Sequence, residues 1–359
     1  MVYCTLFDSN YLDKGVVMIQ SLLSVDVDGK IYVLCMDQKC KEVMDALNLP
    51  STYTISLNEF EDDELLSVKP YRSKGEYCWT CTAKLIKFVI LHFQNEICTY
   101  VDSDLFFYND PSVLISEMLE SKCSVQVISH RFPNTISGRY HEKENGRNCV
   151  QFNTFQRRSD GMILLDKWIQ QCINHCSVES AGDQKYTDSW SDLSFVNVSK
   201  NGGAGIAPWN ITRYKYVDEK DVVYDRYEKQ YYQMIFYHFQ NVTYLNRYTV
   251  KIMPIIQHRV VDRKLLNHIY IPYLLKIEEV KSVLEKEYGV LPQISVYISN
   301  SEKKRQSVRA KIQKNLQTPI PVLFAKMGER IRMKTRMKDT IINLSEYVDI
   351  MGGENDNAE

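Results

Sequence analysis

The sequence predicts an α/β protein with a mostly parallel, helix-covered central sheet. Short β-rich runs alternate with segments of helical apolar spacing through the first hundred residues, which is the pattern of strand–helix–strand units. The 359 residues are 44% apolar and 25% charged, with 14 Gly and 10 Pro. That is an ordinary globular composition with no low-complexity tract and no internal repeat. The longest apolar runs, Ile31–Met36 and Ile320–Ala325, fall far short of the ~18–20 residues of a membrane span.

In chain order, Val2–Phe7 reads as a strand ending at Asp8, and Asp13–Leu23 as a helix with apolar positions at Val16, Val17, Ile19, Leu22 and Leu23. Ile31–Met36 is the next buried strand, Lys39–Leu47 a helix stopped near Pro50, and Thr52–Leu57 a third strand before the acidic stretch Glu59–Glu64. A polar connection through Pro70–Gly75 leads to a helix at Thr80–Phe93 and a strand at Ile97–Val101. Between Ser124 and Tyr248 strands mix with one clear helix, Gly161–Cys176, and from about Arg259 the pattern turns helical. We therefore expect a main domain at 1–258 and a helical, basic extension at 259–359.

Net charge is −1, but Glu302–Asp339 carries 12 Lys plus Arg against three acids, leaving −10 for everything else. The acidic main body argues against a nucleic-acid partner. In the basic segment Val308, Ile312 and Leu316 recur at i, i+4, i+8 among Lys and Arg. Such a segment is either a solvated face or one that lies on an anionic membrane surface. The amino terminus shows a strand pattern rather than a secretory signal, so a cytoplasmic location is expected. The ten cysteines then read as reduced and structural, Cys78 and Cys81 included, since Cys172 and Cys176 have helical spacing and form no second metal-type pair.

Two Asp-x-Asp strings occur, close to the roughly 1.5 that chance gives for 23 Asp. Asp26-Val27-Asp28-Gly29 lies between a helix and a strand and reads as a turn. Asp102-Ser103-Asp104 follows an apolar strand, and open α/β sheets place ligands beyond strand carboxyl ends. Two carboxylates there suit a divalent cation, magnesium or manganese.

From these residues outward, the chain resembles the nucleotide-sugar glycosyltransferases of the GT-A fold, in particular the family 8 group of bacterial lipooligosaccharide galactosyltransferases and glycogenin. The resemblance spans about residues 2–245 and rests on an ordered set of motifs. It implies that Phe7, Asp8, Asn10 and Tyr11 bind the donor's uracil end, and that Lys84 touches the donor and acidic groups. It places Asp102 and Asp104 on the metal with Ser103 beside the donor, and aligns Asn153 and the pair Asp183-Gln184 with the transferred sugar. His238 would complete the metal shell. Asp183 and Lys84 are the implied catalytic groups, and Trp209 is a candidate wall for an acceptor or sugar. Plainer roles stand beside these: Asp8 as a helix cap, Lys84 as a solvated helix residue, Asp183 in a turn, Trp209 in the core and His238 as a buried histidine. The stretch after His238 departs from the family pattern, because Asn241, Val242 and Tyr244 stand where glycine and lysine are expected.

The resemblance implies a metal-dependent transferase that moves a hexose-type sugar from a UDP-sugar to an acceptor hydroxyl with retention, using Mn2+ or Mg2+. The acceptor would be a surface glycan or glycolipid, which a peripheral place on the inner membrane face would suit. The alternatives are a catalytically silent sugar-nucleotide-binding or scaffold protein of the same fold, and a nucleotidyltransferase. The latter is disfavoured because Asp8–Asp13 contains no Gly- and basic-rich phosphate loop.

Overall fold

The structure is a computed structural model and describes residues 1–218, 221–252, 263–291, 293–294 and 341–345. Its main sheet contains β1 (Val2–Phe7), β2 (Lys30–Cys35), β3 (Thr52–Ser56), β4 (Ile97–Val101), β6 (Val125–Ser129), β7 (Asn148–Gln156) and β8 (Val196–Val198). The order is β3-β2-β1-β4-β7-β6-β8. All neighbours are parallel except β7, which runs antiparallel to both β4 and β6. The expected mostly parallel α/β sheet is therefore what the chain forms.

Helices cover the sheet: α1 (Leu12–Val25), α2 (Gln38–Leu47), the short α3 (Leu57–Phe60) and α4 (Asp63–Val68), α5 (Lys74–His92), α6 (Ser112–Glu120), α7 (Ile136–Asn145) and α8 (Ser159–Asn174). Capping explains several starts. Asp37 accepts the Cys40 N–H at 2.7 Å and opens α2, and Asp62 accepts the Leu65 N–H at 3.1 Å and opens α4. Ser56 with Glu59, and Ser73 with Glu76, form reciprocal capping boxes at α3 and α5. The second box starts α5 six residues before the expected Thr80, so Lys74–Trp79 are helical. The acidic stretch near residue 60 likewise forms two short helices.

Outside the main sheet, β5 (Leu105–Phe107) pairs antiparallel with β12 (Phe236–His238). The strands β9 (Tyr214–Asp218), β10 (Val222–Asp225) and β11 (Gln230–Gln233) form a meander. A third small sheet joins β13 (Thr243–Tyr244), β14 (Thr249–Lys251) and β15 (Ile341–Asn343). After α9 (Arg263–Leu265) comes α10 (Ile271–Tyr288), ended by Gly289 at φ +64°. Tyr273, Leu274, Ile277 and Leu284 of α10 share one buried core with Val16 and Ile19 of α1 and with Tyr237 and Phe239. The basic stretch Glu302–Asp339 lies outside the described residues. None of the ten cysteines forms a disulfide.

Candidate active site

Strand β4 ends at Val101, and Asp102 continues from it with its N–H donating to the Gln151 carbonyl of β7 at 3.1 Å. The β5–β12 pairing sets His238 opposite Leu105, and the Phe239 N–H donates to the Asp104 carbonyl at 2.9 Å. These backbone bonds bring a histidine from far along the chain to the acidic pair. Its Nε2 lies 3.0 Å from Asp104 Oδ1 and 3.9 Å from Asp102 Oδ2. One ligand atom from each of the three residues lies within 4.8 Å of the others.

The imidazole is fixed from behind. Its Nδ1 is 2.8 Å from Gln151 Oε1, and because an amide oxygen only accepts, Nδ1 must carry a proton. Nε2 is thereby the atom offered to a cation, the arrangement of a metal-ligating histidine oriented by a partner behind it. Trp209 packs its ring edge-on against His238, with centroids 5.1 Å apart.

Charge in the cluster is balanced by its own members. Burial would lower the His238 pKa, yet Asp104, with help from Asp102, raises it well above the ordinary value. Burial pushes Asp102 up to about 6, against the pull of His238. Burial also opposes ionisation of Asp104, but His238 and then Lys14 more than offset it and hold the carboxyl low. Two carboxylate oxygens and an imidazole nitrogen, a hard and borderline donor set, fit magnesium or manganese. We expect Gln151→Leu, which unties Nδ1, to lower manganese affinity by roughly 10–100-fold, as read by calorimetry. Unchanged affinity would remove the orienting role.

Alongside lies a group of buried polar atoms without hydrogen-bond partners: Gln151 Nε2, both amide atoms of Asn153, and Asp183 Oδ2. Asn153 is paired with Tyr100 on β4, and the β6–β7 register shifts within the stretch that holds Gln151 and Asn153. Unpaired buried groups of this kind cost about 1–3 kcal/mol each, and the fold leaves these four atoms unsatisfied.

Asp183 is 4% exposed. Burial, then Cys176 and Asp102, hold its carboxyl pKa well above 3.8, while the Thr82 hydroxyl offsets little of this. Folded protein therefore retains a proton that unfolded protein loses above about pH 3.8, and stability falls as pH rises from there toward the folded pKa. Asp183→Asn has no such loss. Its melting temperature should pull ahead of wild type by about 2 °C per pH unit within that window. Parallel melting curves from pH 4 to 7 would contradict the assignment.

Asp8, Tyr11, Ser103 and Gln184 are further expected residues. Asp8 caps the turn at Ser9–Tyr11, accepting from the Asn10 backbone N–H at 3.0 Å and from its Nδ2 at 2.8 Å. Tyr11 is 40% exposed and Ser103 is half-buried between the two acids. Gln184 Nε2 donates to the Asn145 carbonyl at 2.7 Å. Three others are corrected. Phe7 points into the core, its ring against Gly15, so its side chain is not available to a ligand. Trp209 is 3% exposed and donates its indole N–H to the His130 carbonyl at 3.0 Å, which makes it a support for His238 and not an open wall. Lys84 pairs with Asp62 and lines a groove with Lys87, Phe88 and Asp166. Thr82, which approaches Asp183, is two residues away, about 200° around the helix.

The residue that sequence reasoning missed is Gln151. Gln151 left one signal, a polar residue two positions from Asn153 in a strand buried along nearly its whole length.

No family model matches the chain. It is 31% identical over 287 residues to the uncharacterized protein YfnD of Bacillus subtilis (strain 168), covering 77% of this chain and 88% of that protein. The chain belongs to the YfnD family. YfnF of the same organism is 31% identical over 254 residues, covering 66% of this chain and 80% of YfnF. Among solved structures, this YfnD-family chain is similar to the galactosyltransferase LgtC in complex with donor and acceptor sugar analogs. That match has a TM-score of 0.48 and 13% identity, over 81% of this chain and all of that one. It is also similar to mouse xyloside xylosyltransferase 1 in its apo form, with a TM-score of 0.44 and 12% identity, over 67% and 98% of the two chains.

Proposed function

We propose that this chain is a metal-dependent glycosyltransferase that moves a hexose-type sugar from a UDP-sugar to an acceptor hydroxyl with retention. The observation that carries the reading is the convergence of Asp102, Asp104 and His238 beside the unpartnered atoms of Asn153 and Asp183. One half of this surface suits a cation-bound diphosphate and the other suits sugar hydroxyls.

Asp102, Asp104 and Nε2 of His238 would hold the cation, Mn2+ or Mg2+. When bound, such an ion neutralises a departing diphosphate as a Lewis acid. Tyr11 offers a ring face to the base, and Asp8, Asn10 and Ser103 supply polar groups near it. Asn153 and Asp183 lie buried at the sugar end of the site in this reading, with Gln184 next to Asp183 in the chain. Asp183 sits near the anomeric carbon in this reading, so Asp183→Asn should lose turnover while gaining stability at neutral pH.

Residues 1–258 would then be the catalytic domain and 259–359 an extension. Its basic stretch would rest on the anionic inner face of a membrane, within reach of a glycolipid or surface-glycan acceptor in the cytoplasm. Among the described residues no helix is long and apolar enough to cross a membrane. Deleting 302–339 should abolish salt-sensitive binding to anionic vesicles, and a truncated protein that still pellets with them overturns that placement.

The test of the central reading is calorimetry with UDP, with and without manganese, followed by turnover on a panel of UDP-sugars. Metal-dependent binding with turnover supports it. Binding without turnover on any donor moves the assignment to the silent scaffold. No UDP binding with manganese present overturns it.

A further inference from the structure

We propose that Lys14 binds the diphosphate of the donor and supplies the positive charge that the segment after His238 lacks. This rests on the glycosyl-transfer reading above and adds a residue to it.

Residues 239–246 contain no Lys or Arg, yet an ammonium is held over that segment. Lys14, in the first turn of α1, donates from Nζ to the Val242 carbonyl at 3.2 Å. The same Nζ lies 4.3 Å from the centroid of the Tyr11 ring. The segment itself is fastened to the acidic pair: the Phe239 N–H donates to the Asp104 carbonyl at 2.9 Å, and the Val242 N–H to the Phe239 carbonyl at 3.4 Å. Asn241, at φ +61°, makes the turn between them. Lys14 therefore stands over the Tyr11 ring proposed for the base and against the segment whose backbone is bonded to Asp104. A nucleoside diphosphate running from that ring to the carboxylates starts beside the ammonium.

The chemistry fits that position. An ammonium has three N–H donors and no acceptor. One is spent on Val242, which fixes the group in place, and two remain for phosphate oxygens. Lys14 is half-buried, so its charge is less screened than that of a free surface lysine. A purely structural role, fastening the 239–242 turn to α1, makes a different prediction.

The experiment is calorimetry of full-length wild type, Lys14→Gln and Lys14→Arg with manganese, titrating UDP and uridine separately at two salt concentrations. Lys14→Gln should weaken UDP about tenfold, equivalent to about 1.4 kcal/mol. It should leave uridine affinity unchanged and flatten the salt dependence of UDP binding, and Lys14→Arg should recover most of the loss. UDP affinity in Lys14→Gln within twofold of wild type overturns the proposal alone. Parallel loss of UDP and uridine together with a lowered melting temperature also overturns it, in favour of the structural role. Wild type that binds no UDP with manganese overturns the glycosyl-transfer reading and this proposal with it.

Discussion

Asp102→Asn/Asp104→Asn is expected to abolish the effect of manganese on the protein. Wild type at a metal concentration 100 times its Kd should gain about 2.7 kcal/mol of stability by mass action, seen as a raised melting temperature, and the double variant should gain none. UDP should bind the variant equally with and without manganese. Turnover should fall by roughly three orders of magnitude, about 4 kcal/mol in the barrier, because the charge leaving with the diphosphate would no longer be met by a cation. The substitution keeps shape, replaces one acceptor oxygen of each side chain by an amide donor and removes both charges, so a folded but metal-blind protein is the expected product. His238 keeps its Gln151 partner in the variant, and the backbone bond from Phe239 to Asp104 does not involve the side chain. A variant that retains a manganese-induced shift would place the cation elsewhere and remove the assignment of all three ligands.

What the sequence made legible follows from how local each signal is. The acidic pair stood out because strand β4 is a short apolar run and Asp102 follows its last residue, so the pair's place at a strand tip needs no long-range information. His238 was legible only through an ordered resemblance, because its position depends on the β5–β12 register, which no local pattern encodes. The start of α5 was hidden by Pro70 and Gly75, which read as a connection, although Ser73 and Glu76 carry a capping-box spacing. Phe7 shares a face of β1 with Tyr3, and both pack into the same core.

The lysines show the limit most clearly. Lys84 and Lys14 both lie on helices near the strand tips, and a long flexible side chain goes wherever an opposite charge or carbonyl waits. For Lys84 that partner is Asp62, fixed in place by capping α4. For Lys14 it is the carbonyl of Val242, a residue more than two hundred positions away. Neither choice can be read before the chain is folded.

Replacing Trp168 is expected to show how the core holds the site. Trp168, on α8, is fully buried; its ring meets Trp190 edge-on with centroids 5.0 Å apart and lies nearly parallel to Phe155. Its indole N–H donates to the Asp183 carbonyl at 2.9 Å. Trp168→Ala removes that volume and the bond together and should cost about 3–5 kcal/mol, lowering the melting temperature by roughly 5 °C. Trp168→Phe separates the two contributions. It keeps much of the packing but leaves the Asp183 carbonyl without its donor, for about 1 kcal/mol of stability. Asp183 follows Ala181 and Gly182, both at positive φ, so its turn has little regular secondary structure to hold it and depends on such tethers. The Phe variant should therefore lose turnover, roughly tenfold for a displacement of well under 1 Å, out of proportion to its small loss of stability. A Phe variant with wild-type turnover would show that Asp183 is positioned without the indole, and an Ala variant that melts within 2 °C of wild type would show that the tryptophan pair is not the keystone of this half of the core.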